Sequence, residues 1–282
     1  MKLICIKFNN KLIEFFIYFG NNPVFMGIPG GRSAPDKFIK DGSMRFNRAD
    51  YAEFYHMQMV EGGYPGKLLP FVMNELKDSS TVLDIGSGTG FFSIPLAAAG
   101  HTVTAVEPSS EMINIMTKNI PSGILPAVKI CRTAWEEWEG ELHDAAIAVH
   151  SLYPMPDIKK ALTLINRSAG KKIIIVRNTA GMRTISGMVR EKLGIISSRD
   201  LNKEIVPVLN GLKVNWNVVN IYEERRHIIK NIEYETDALL FQLKLGDDFR
   251  KCISDVVKQE AINLAGEIFF NAIYSDNAYI IN

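Results

Sequence analysis

The feature that most restricts the fold is a strand that runs directly into a glycine loop and then into a helix. Strand-forming residues at Thr81–Ile85 precede Gly86, Gly88 and Gly90, and helix-forming residues follow at 91–99. Glycines at this place let a ligand approach the backbone where no Cβ intrudes. The amide groups at the start of the helix favour an anionic or carboxylate group. The sequence therefore predicts a ligand-binding βα unit.

Strand and helix patterns continue to alternate after the loop. We predict strands over 101–107, 128–131, 144–149 and 172–176, and helices over 110–119 and 158–168. Successive βα units imply a parallel sheet, because parallel strands are joined by helical crossovers. The strand at 172–176 is apolar, as is typical of a strand buried on both faces. These patterns predict an α/β fold with a doubly wound, mainly parallel sheet.

Residues 1–44 are predicted to lie outside this core as an N-terminal extension. The stretch 3–19 is apolar but interrupted by charged and polar residues, so we expect neither a membrane span nor a secretory signal. It is interpreted as a peripheral β-hairpin turning at Asn9 and Asn10, or as an extension upstream of a later start. Residues 27–43 are rich in Gly and Pro and are predicted to form a loop.

The main domain is predicted to cover residues 45–282. Before the glycine loop, helices are expected over 47–61 and 67–76. After the strand at 172–176, helices are expected over 184–193 and 198–209, followed by a strand over 214–227. The last elements are helices over 235–245 and 247–264 and one or two strands over 267–281. The helix over 198–209 is expected to open on Ser198 and to close near Gly211. We interpret residues 180–212 as a helical insertion that caps a substrate pocket.

Composition excludes several classes of partner and site. Lys and Arg total 32 and Asp and Glu 31, so no overall charge attracts nucleic acid or an anionic membrane. The cysteines Cys5, Cys131 and Cys252 lie far apart, without the close pairs of a zinc site or a disulfide framework. His101 and His143 also lack partners at metal-ligand spacing. A reducing, cytoplasmic setting and no metal are expected.

Three details distinguish the ligands that a glycine loop could bind. A dinucleotide fingerprint requires a third glycine where Phe91 stands. A phosphate loop requires Lys followed by Ser or Thr, and neither follows Gly90. Glu107 ends the next strand, where a carboxylate can accept hydrogen bonds from both hydroxyls of a ribose. A ligand that carries a ribose but is not a dinucleotide fits this combination best.

The two segments 82–90 and 106–112 (Val-Leu-Asp-Ile-Gly-Ser-Gly-Thr-Gly and Val-Glu-Pro-Ser-Ser-Glu-Met) resemble the first two motifs of class I S-adenosylmethionine-dependent methyltransferases. The resemblance covers residues 78–178 well and implies a seven-stranded Rossmann-like fold with S-adenosylmethionine as cofactor. It implies that Gly86 and Gly88 contact the methionine part, that Asp84 orients the loop or the amino group, and that Glu107 holds the ribose. Met112 would lie against adenine or, as is common for a methionine at helical spacing, pack in the core. Ser87 and Pro108, which adjoin these residues, are further expected cofactor contacts.

The chain departs from the family after the third strand, where an acidic residue often contacts the adenine amino group. Here no Asp stands in the expected place. We expect Ala134 and Trp135 to reach adenine instead, through a backbone hydrogen bond and a ring contact. Trp135 and Trp138 are three residues apart, so packing of a helix onto the sheet is the alternative.

The methyl acceptor should meet the cofactor beyond the carboxyl ends of the strands. His150 and Tyr153 follow the fourth strand and are therefore candidate catalytic residues, with His150 also close enough to contact the cofactor. His150 has a pKa suited to a general base, or it only hydrogen-bonds the loop. Tyr153 is either a wall of the pocket or a packing residue. The Asn/Asp-Pro-Pro-Tyr motif of enzymes that methylate amino groups in nucleic acids and release factors is missing.

Two further groups of residues lie outside the motifs. Tyr51 and Tyr55 share one helical face and are predicted to form either part of a lid over the cofactor or buried core, with His56 outside that face. The charged run 223–227 is expected to be solvated surface.

The sequence thus predicts a methyltransferase that acts on a small-molecule acceptor, given the nearly balanced charge and the lack of an evident nucleic-acid module. The alternatives are an RNA or protein methyltransferase and a non-catalytic protein that binds S-adenosylmethionine.

Overall fold

The computed structural model describes residues 2–8, 11–17, 44–195 and 199–282. They fall into two compact units, divided between residues 34 and 35, which are described separately. In the first unit, strand β1 (Lys2–Phe8) pairs antiparallel with strand β2 (Lys11–Ile17). This pairing agrees with the predicted hairpin. The predicted turn at Asn9 and Asn10 and the predicted loop over 27–43 lie outside the described residues.

The second unit is an α/β domain that follows the predicted order of elements. Its strands are β3 (Thr81–Ile85), β4 (Thr102–Val106), β5 (Val128–Cys131), β6 (His143–Val149), β7 (Ala169–Arg177), β8 (Trp216–Ile228), β9 (Ile262–Leu264) and β10 (Glu267–Ile281). Its α-helices are α1 (Ala49–Glu61), α2 (Leu68–Glu75), α3 (Ser93–Ala98), α4 (Ser110–Asn119), α5 (Ile158–Ser168), α6 (Ile185–Lys192), α7 (Leu201–Leu212), α8 (Ile232–Leu243) and α9 (Arg250–Glu260). Short 3₁₀ helices lie at Met44–Asn47, Leu125–Ala127, Trp135–Glu137 and Asp247–Phe249.

The sheet confirms the predicted doubly wound, mainly parallel architecture. Its strands run in the order β5-β4-β3-β6-β7-β10-β8, and β9 pairs with β10. Strands β3 to β7 are parallel to their neighbours within that group, whereas β10 is antiparallel to β7, β8 and β9. The sheet has eight strands in the described residues, so the expected number of seven was wrong.

The additional strand is β9, within the stretch that was predicted as a helix over 247–264. The helix α9 ends at Glu260, and Ile262 to Leu264 then pair with the start of β10. Ala265 and Gly266 both have positive φ, 51° and 83°, which is the backbone conformation of a two-residue hairpin turn. The turn therefore reverses the chain where a continuing helix was expected.

Polar side chains start several helices by accepting hydrogen bonds from free amide groups. Ser109 starts α4 in this way, and Asp157 starts α5. Helix α7 is capped by Asp200 and ends at Leu212, close to the predicted end near Gly211, and the chain then turns at Lys213 in the left-handed conformation. The predicted opening residue Ser198 lies outside the described residues.

The two helices within residues 180–212 pack in different places. Helix α7 buries Leu201, Ile205 and Leu209 in the cluster that also contains α5 and the central strands. Helix α6 buries Ile185 and Val189 in a second cluster with α8 and α9. The two helices of this segment thus pack in two different hydrophobic clusters. That the segment caps a substrate pocket remains a prediction.

The order of the strands creates a crevice at one point of the sheet. The chain passes from β3 to β4 on one side and returns to β6 on the other side of β3. In such a sheet the carboxyl ends of the two strands at this switch point diverge and leave space for a ligand. Here the glycine loop follows β3, and His150 follows β6.

Candidate active site

The glycine loop is held by the neighbouring strand. The amide groups of Gly86 and Ser87 donate to the carbonyl of Val106, at 2.8 and 3.1 Å. Gly86 has φ 68°, and a Cβ added to it would lie 2.4 Å from the Cβ of Ser151. Gly88 has φ 56° and no atom within 4 Å of an added Cβ. The loop thus packs tightly on one side and is open at Gly88.

Glu107 connects the end of β4 to the glycine loop. Its carboxylate accepts hydrogen bonds from the amides of Gly88 and Ser109, both at 2.9 Å. The side chain is buried, and burial raises the pKa of Glu107 although the two amide bonds oppose this shift. Each carboxylate oxygen has capacity for a further hydrogen bond. Glu107 therefore fits the predicted role of binding two ribose hydroxyls.

Asp84 lies at the base of the loop. Its Oδ2 accepts a 2.6 Å hydrogen bond from Ser93 Oγ, and both side chains are buried. Burial raises the pKa of Asp84 to about 7. A carboxyl group with this pKa becomes fully ionised at neutral pH when a cation lies beside it. The cofactor's ammonium group is a cation of the required kind.

Two hydroxyl groups beside the loop have no partner among the described residues. The Oγ atoms of Ser87 and Ser151 are buried without a hydrogen bond. Buried polar atoms are normally paired, so an unpaired hydroxyl at a predicted ligand site indicates a missing partner. Together with the open space at Gly88, these hydroxyls show that the residues present fit a cofactor with a polar amino-acid end.

A roof covers the glycine loop. It consists of the 3₁₀ turn Met44–Asn47 and helix α1. His56 Nδ1 lies 2.9 Å from Thr89 Oγ1, and its ring stacks on Phe91 at 5.2 Å between centroids. Ser109 Oγ donates to the backbone carbonyl of Phe46 at 2.6 Å. His56, which was expected outside the functional face of the helix, therefore connects α1 to the loop.

The two predicted lid tyrosines have different surroundings. Tyr51 is buried in an aromatic cluster, 5.4 Å from the ring of Phe46 and 5.8 Å from that of Phe241. Tyr55 also contacts Phe46, but it borders the cavity at the glycine loop. Of this pair, only Tyr55 lines the cavity.

The cavity at the loop is small, about 40 Å³, and is partly open to solvent. It is lined by Tyr55, Tyr64, Asp84, Gly86, Ser87, Gly88, Thr89, Phe91, Phe92 and Val149. Sites for small molecules have volumes of about 300–1,000 Å³. The cavity as it stands is therefore too small to hold a whole molecule of S-adenosylmethionine.

His150 lies at the carboxyl end of β6 and is paired with a residue from the far end of the chain. Its Nε2 lies 2.8 Å from Oδ1 of Asp276 in β10, and its backbone has φ 55°. Burial, together with the charge of Arg177, lowers the pKa of His150 to about 4. The imidazole is thus neutral at neutral pH. Sequence reasoning missed Asp276, because nothing in the local pattern indicates which strand lies beside β6 and β7.

Tyr153 holds the end of β7. Its hydroxyl accepts a 2.7 Å hydrogen bond from the backbone amide of Arg177, and its carbonyl accepts one from Arg199. Burial raises the pKa of Tyr153. The structure thus gives the hydroxyl of Tyr153 a partner in the backbone, and its predicted catalytic role remains untested.

The charged run 223–227 in β8 was expected to be solvated surface, but only part of it is. Alternate residues point inward, and the side chains of Glu223 and Arg225 are 15% and 12% exposed. Arg225 pairs with Glu223 at 2.6 Å and donates to the carbonyls of Gly62 and Pro65. This pair holds the 62–66 loop that carries Tyr64, whose ring lies 5.9 Å from that of His150.

The residues predicted to contact adenine have different surroundings, and not all of them lie near the glycine loop. Met112 is buried in the first turn of α4, whereas Pro108 is exposed. Trp135 is 2% exposed, and its indole N–H donates to the carbonyl of Ala161 in α5. Its ring stacks on Trp138 within the core, so the structure does not bring Trp135 to the cavity. Ala134, which precedes it, is half-buried.

A second cavity is larger but lies elsewhere. It has a volume of about 500 Å³ and is lined by residues at the amino ends of β3 and β4, including Thr81 and Thr102, and by the loop that contains Trp138. The connection from β5 to β6 contains the 3₁₀ turn Trp135–Glu137 and no α-helix. The cavity includes no residue of the glycine loop, and the candidate site remains the smaller one.

In the part of the chain that the structure describes, no group of three or more His, Cys, Asp or Glu side chains is placed to hold a metal ion. None of the helices in that part is long and apolar enough to span a bilayer.

Comparison with known proteins identifies the central part of the chain. Residues 82–171 match the family model of a methyltransferase domain. This segment contains the glycine loop, Glu107 and His150. The chain contains a class I methyltransferase domain. The enzyme is S-adenosylmethionine-dependent, as the resemblance of the two motifs predicted.

Solved structures share the fold of the methyltransferase domain at low sequence identity. A protein described as a methyltransferase from an antibiotic biosynthesis pathway of Anabaena variabilis has a TM-score of 0.55 at 16% identity, with 77% of this chain and 96% of that chain covered. The Haemonchus contortus phospholethanolamine N-methyltransferase 2 has a TM-score of 0.54 at 16% identity, over 83% and 57% of the chains. Magnesium protoporphyrin IX methyltransferase from Synechocystis PCC 6803, with bound S-adenosylhomocysteine, has a TM-score of 0.51 at 14% identity, over 85% and 97%. No curated protein matches the chain in sequence.

Proposed function

We propose that this methyltransferase acts on a small-molecule acceptor that is enclosed between the strand ends and the roof. The observation that carries this proposal is the attachment of the roof to the elements below it. His56 of α1 contacts Thr89 of the glycine loop, and the carbonyl of Phe46 accepts a hydrogen bond from Ser109. Beside the roof, Arg225 holds the 62–66 loop that carries Tyr64. A macromolecular substrate would need an open groove at this place, whereas small-molecule sites enclose most of the ligand surface.

Two further observations support a small acceptor. The chain has a formal net charge of +1, so it lacks the overall positive charge that favours binding to RNA. Two of the proteins with a similar fold are named for small molecules, a porphyrin and a phosphorylated ethanolamine.

The cofactor would be held by the residues around the glycine loop. We assign the methionine end to Gly86, Ser87 and Gly88 with the carboxylate of Asp84, because buried unpaired groups and open space occur together there. Glu107 would accept the ribose hydroxyls. Met112, Pro108 and the backbone of Ala134 remain the proposed adenine contacts.

His150 is the proposed base that takes a proton from the acceptor. When bound, S-adenosylmethionine supplies a methyl group on a positively charged sulfur; the acceptor's lone pair forms the new bond while the methyl–sulfur electron pair goes to sulfur. The acceptor's proton would pass to Nδ1 of His150, because an ionised Asp276 can only accept and Nε2 would then carry the hydrogen of the bond between them. Asp276 would orient the ring and stabilise its charged form.

The roof is the proposed lid. Tyr55 lines the cavity, and Tyr51 connects α1 to an aromatic cluster beside it. Because the roof contains no strand, movement of α1 would open the site without breaking the sheet. Closure over the bound molecules would exclude water from the reacting atoms.

Tritium transfer from methyl-labelled S-adenosylmethionine tests the choice of acceptor. The protein is incubated with small-molecule, RNA and protein fractions of one cell extract, and the label in each fraction is counted. We expect label in the small-molecule fraction and none above background with a Gly88→Val variant, whose side chain would fill the open space in the loop. Label confined to RNA or protein would overturn the small-molecule proposal. Binding of the cofactor with no label in any fraction would indicate a non-catalytic protein.

A further inference from the structure

The backbone of Arg177 is fixed at the end of β7 on both sides. Its amide donates to the hydroxyl of Tyr153 at 2.7 Å, and its carbonyl accepts a 2.9 Å hydrogen bond from the side chain of Asn202 in α7. Asn202 is itself bonded to Asn277 and Tyr279 of β10. The point from which the Arg177 side chain extends is therefore well defined.

The guanidinium of Arg177 is less completely paired than those of its neighbours. Arg225 contacts a carboxylate at 2.6 Å, and Arg199 contacts the carboxylate of Glu204 at 2.8 and 3.0 Å. Arg177 has only a 3.9 Å contact from Nε to Asp276 Oδ1, an oxygen that already bonds His150. Within the described residues its Nη atoms have no hydrogen bond, although the side chain is only 28% exposed. Half-buried arginines normally have better carboxylate partners.

The guanidinium lies near residues of the proposed acceptor side, although Arg177 does not itself line the cavity at the glycine loop. Its Cζ lies 5.5 Å from the centroid of the Tyr274 ring. Its positive charge also acts to lower the pKa of Tyr55 and Tyr64, which line the cavity, and that of His150. Arg177 and His150 meet at the same carboxylate oxygen of Asp276, so the cation and the proposed base are close together.

We propose that Arg177 binds an oxyanion, a carboxylate or a phosphate, carried by the methyl acceptor; this inference rests on the proposed function. The acceptor is then a compact acid, with a hydroxyl or amino group a few bonds from its anionic group. The planar guanidinium offers two parallel N–H groups, which match the oxygens of a carboxylate or a phosphate. The nucleophilic atom faces His150 when the anion is bound to Arg177.

Ligand-observed NMR tests this assignment without requiring methyl transfer. The probes are glycolate, its neutral analogue glycolamide, and inorganic phosphate, each added to the full chain saturated with S-adenosylhomocysteine. We expect glycolate or phosphate to bind and glycolamide to bind at least about tenfold more weakly, the value of a charge-assisted hydrogen bond. Glycolate alone would assign a carboxylate acid, and phosphate alone a phosphate ester. Binding of neither anion by the wild type would overturn the proposal.

Variants of Arg177 connect the binding to this side chain. Arg177→Gln should lose about ten- to a hundredfold in anion affinity, whereas Arg177→Lys should retain part of the affinity for phosphate because a point charge remains. Arg226→Gln is the matched control, since Arg226 lies on the outer face of β8 and pairs with Glu267. Equal anion binding by wild type and Arg177→Gln would refute the assignment.

The cofactor affinity separates this proposal from the proposed function. Calorimetric titration with S-adenosylhomocysteine should give the same dissociation constant in the wild type, Arg177→Gln and Arg226→Gln. If the wild type binds the cofactor normally but binds no anion, only the proposed role of Arg177 is contradicted, and the proposed function is not. Loss of cofactor binding in the wild type would contradict the proposed function. If Arg177→Gln fails to fold, the comparison of Arg177→Lys with Arg226→Gln decides the result.

Discussion

The imidazole Nε2 of His150 lies 2.8 Å from Oδ1 of Asp276, across 126 positions of sequence. This contact joins the loop after β6 to the C-terminal strand and places a neutral imidazole beside the carboxyl ends of the parallel strands. A histidine oriented by a carboxylate is a common arrangement for removing a proton from a nucleophile. It gives the acceptor side of the site a chemical function that the glycine loop alone does not have.

Removal of this imidazole should slow methyl transfer and leave the cofactor affinity unchanged. His150→Ala is expected to reduce the single-turnover rate by about a hundredfold or more, in the range of general-base effects. Asp276→Asn should give a smaller loss, because the imidazole remains but is less well oriented. The control is His143→Ala, since His143 contacts Thr104 at the opposite end of β6. An unchanged rate in His150→Ala would remove it from the mechanism.

The low pKa of His150 makes a prediction about pH. Burial and the charge of Arg177 lower this pKa to about 4, so the imidazole is in the neutral, proton-accepting form throughout the range from pH 6 to pH 8. Titration of His150 should therefore leave the single-turnover rate nearly constant over that range, and the rate should fall as the pH approaches 4. A decline centred near pH 6.5 would show that the pKa of His150 is unshifted in the working enzyme.

Glu107 should contribute strongly to cofactor affinity. Glu107→Ala removes the proposed acceptor of two ribose hydroxyls and leaves the amides of Gly88 and Ser109 unpaired. We expect the dissociation constant for S-adenosylmethionine to rise by about a hundredfold or more, measured by calorimetry. Glu137→Ala, a change of an exposed acid in the β5–β6 connection, is the control. Similar affinities in the two variants would contradict the assignment of the ribose site.

Asp84 should make the stability of the cofactor-free protein depend on pH. Its pKa is about 7 in the folded protein and about 3.9 in an unfolded chain. Between these values the folded protein binds more protons than the unfolded one, so the free energy of unfolding should decrease as the pH rises from 4 to 7. Asp84→Asn should flatten this dependence in denaturant titrations. The same pH dependence in both proteins would show that Asp84 is not the group responsible.

The cofactor side of the site could be predicted from sequence because it is local. Asp84, Gly86 and Gly88 follow one strand, and Glu107 ends the next, so their proximity depends only on adjacent parallel strands. The side-chain hydrogen bonds of Asp84 and Glu107 are likewise made within 19 positions of sequence. A pattern of strand, loop and helix contains this information directly.

The acceptor side could not be predicted because it depends on the register of distant strands. Asp276 reaches His150 and Arg177 only because β10 is inserted antiparallel between β7 and β8. Arg225 was assigned to the surface because charged runs are usually solvated. In the structure the alternation of β8 turns it inward, and carbonyls of the 62–66 loop accept hydrogen bonds from its two Nη atoms. Neither fact has a local sequence signal.

The contact between His56 and Thr89 should limit how fast the cofactor enters. The cavity at the loop is smaller than the cofactor. We therefore expect α1 to separate from the glycine loop on entry, which breaks this hydrogen bond and the stacking on Phe91. A hydrogen bond of this kind contributes about 0.5–1.5 kcal/mol, so His56→Ala should increase the association rate constant about three- to tenfold. Surface plasmon resonance with immobilised protein measures this rate. Gln58→Ala, on the same helix, is the control and should leave the rate unchanged. Equal association rates in all three proteins would mean that this contact does not close the site, and that the cofactor enters by movement of another part of the roof.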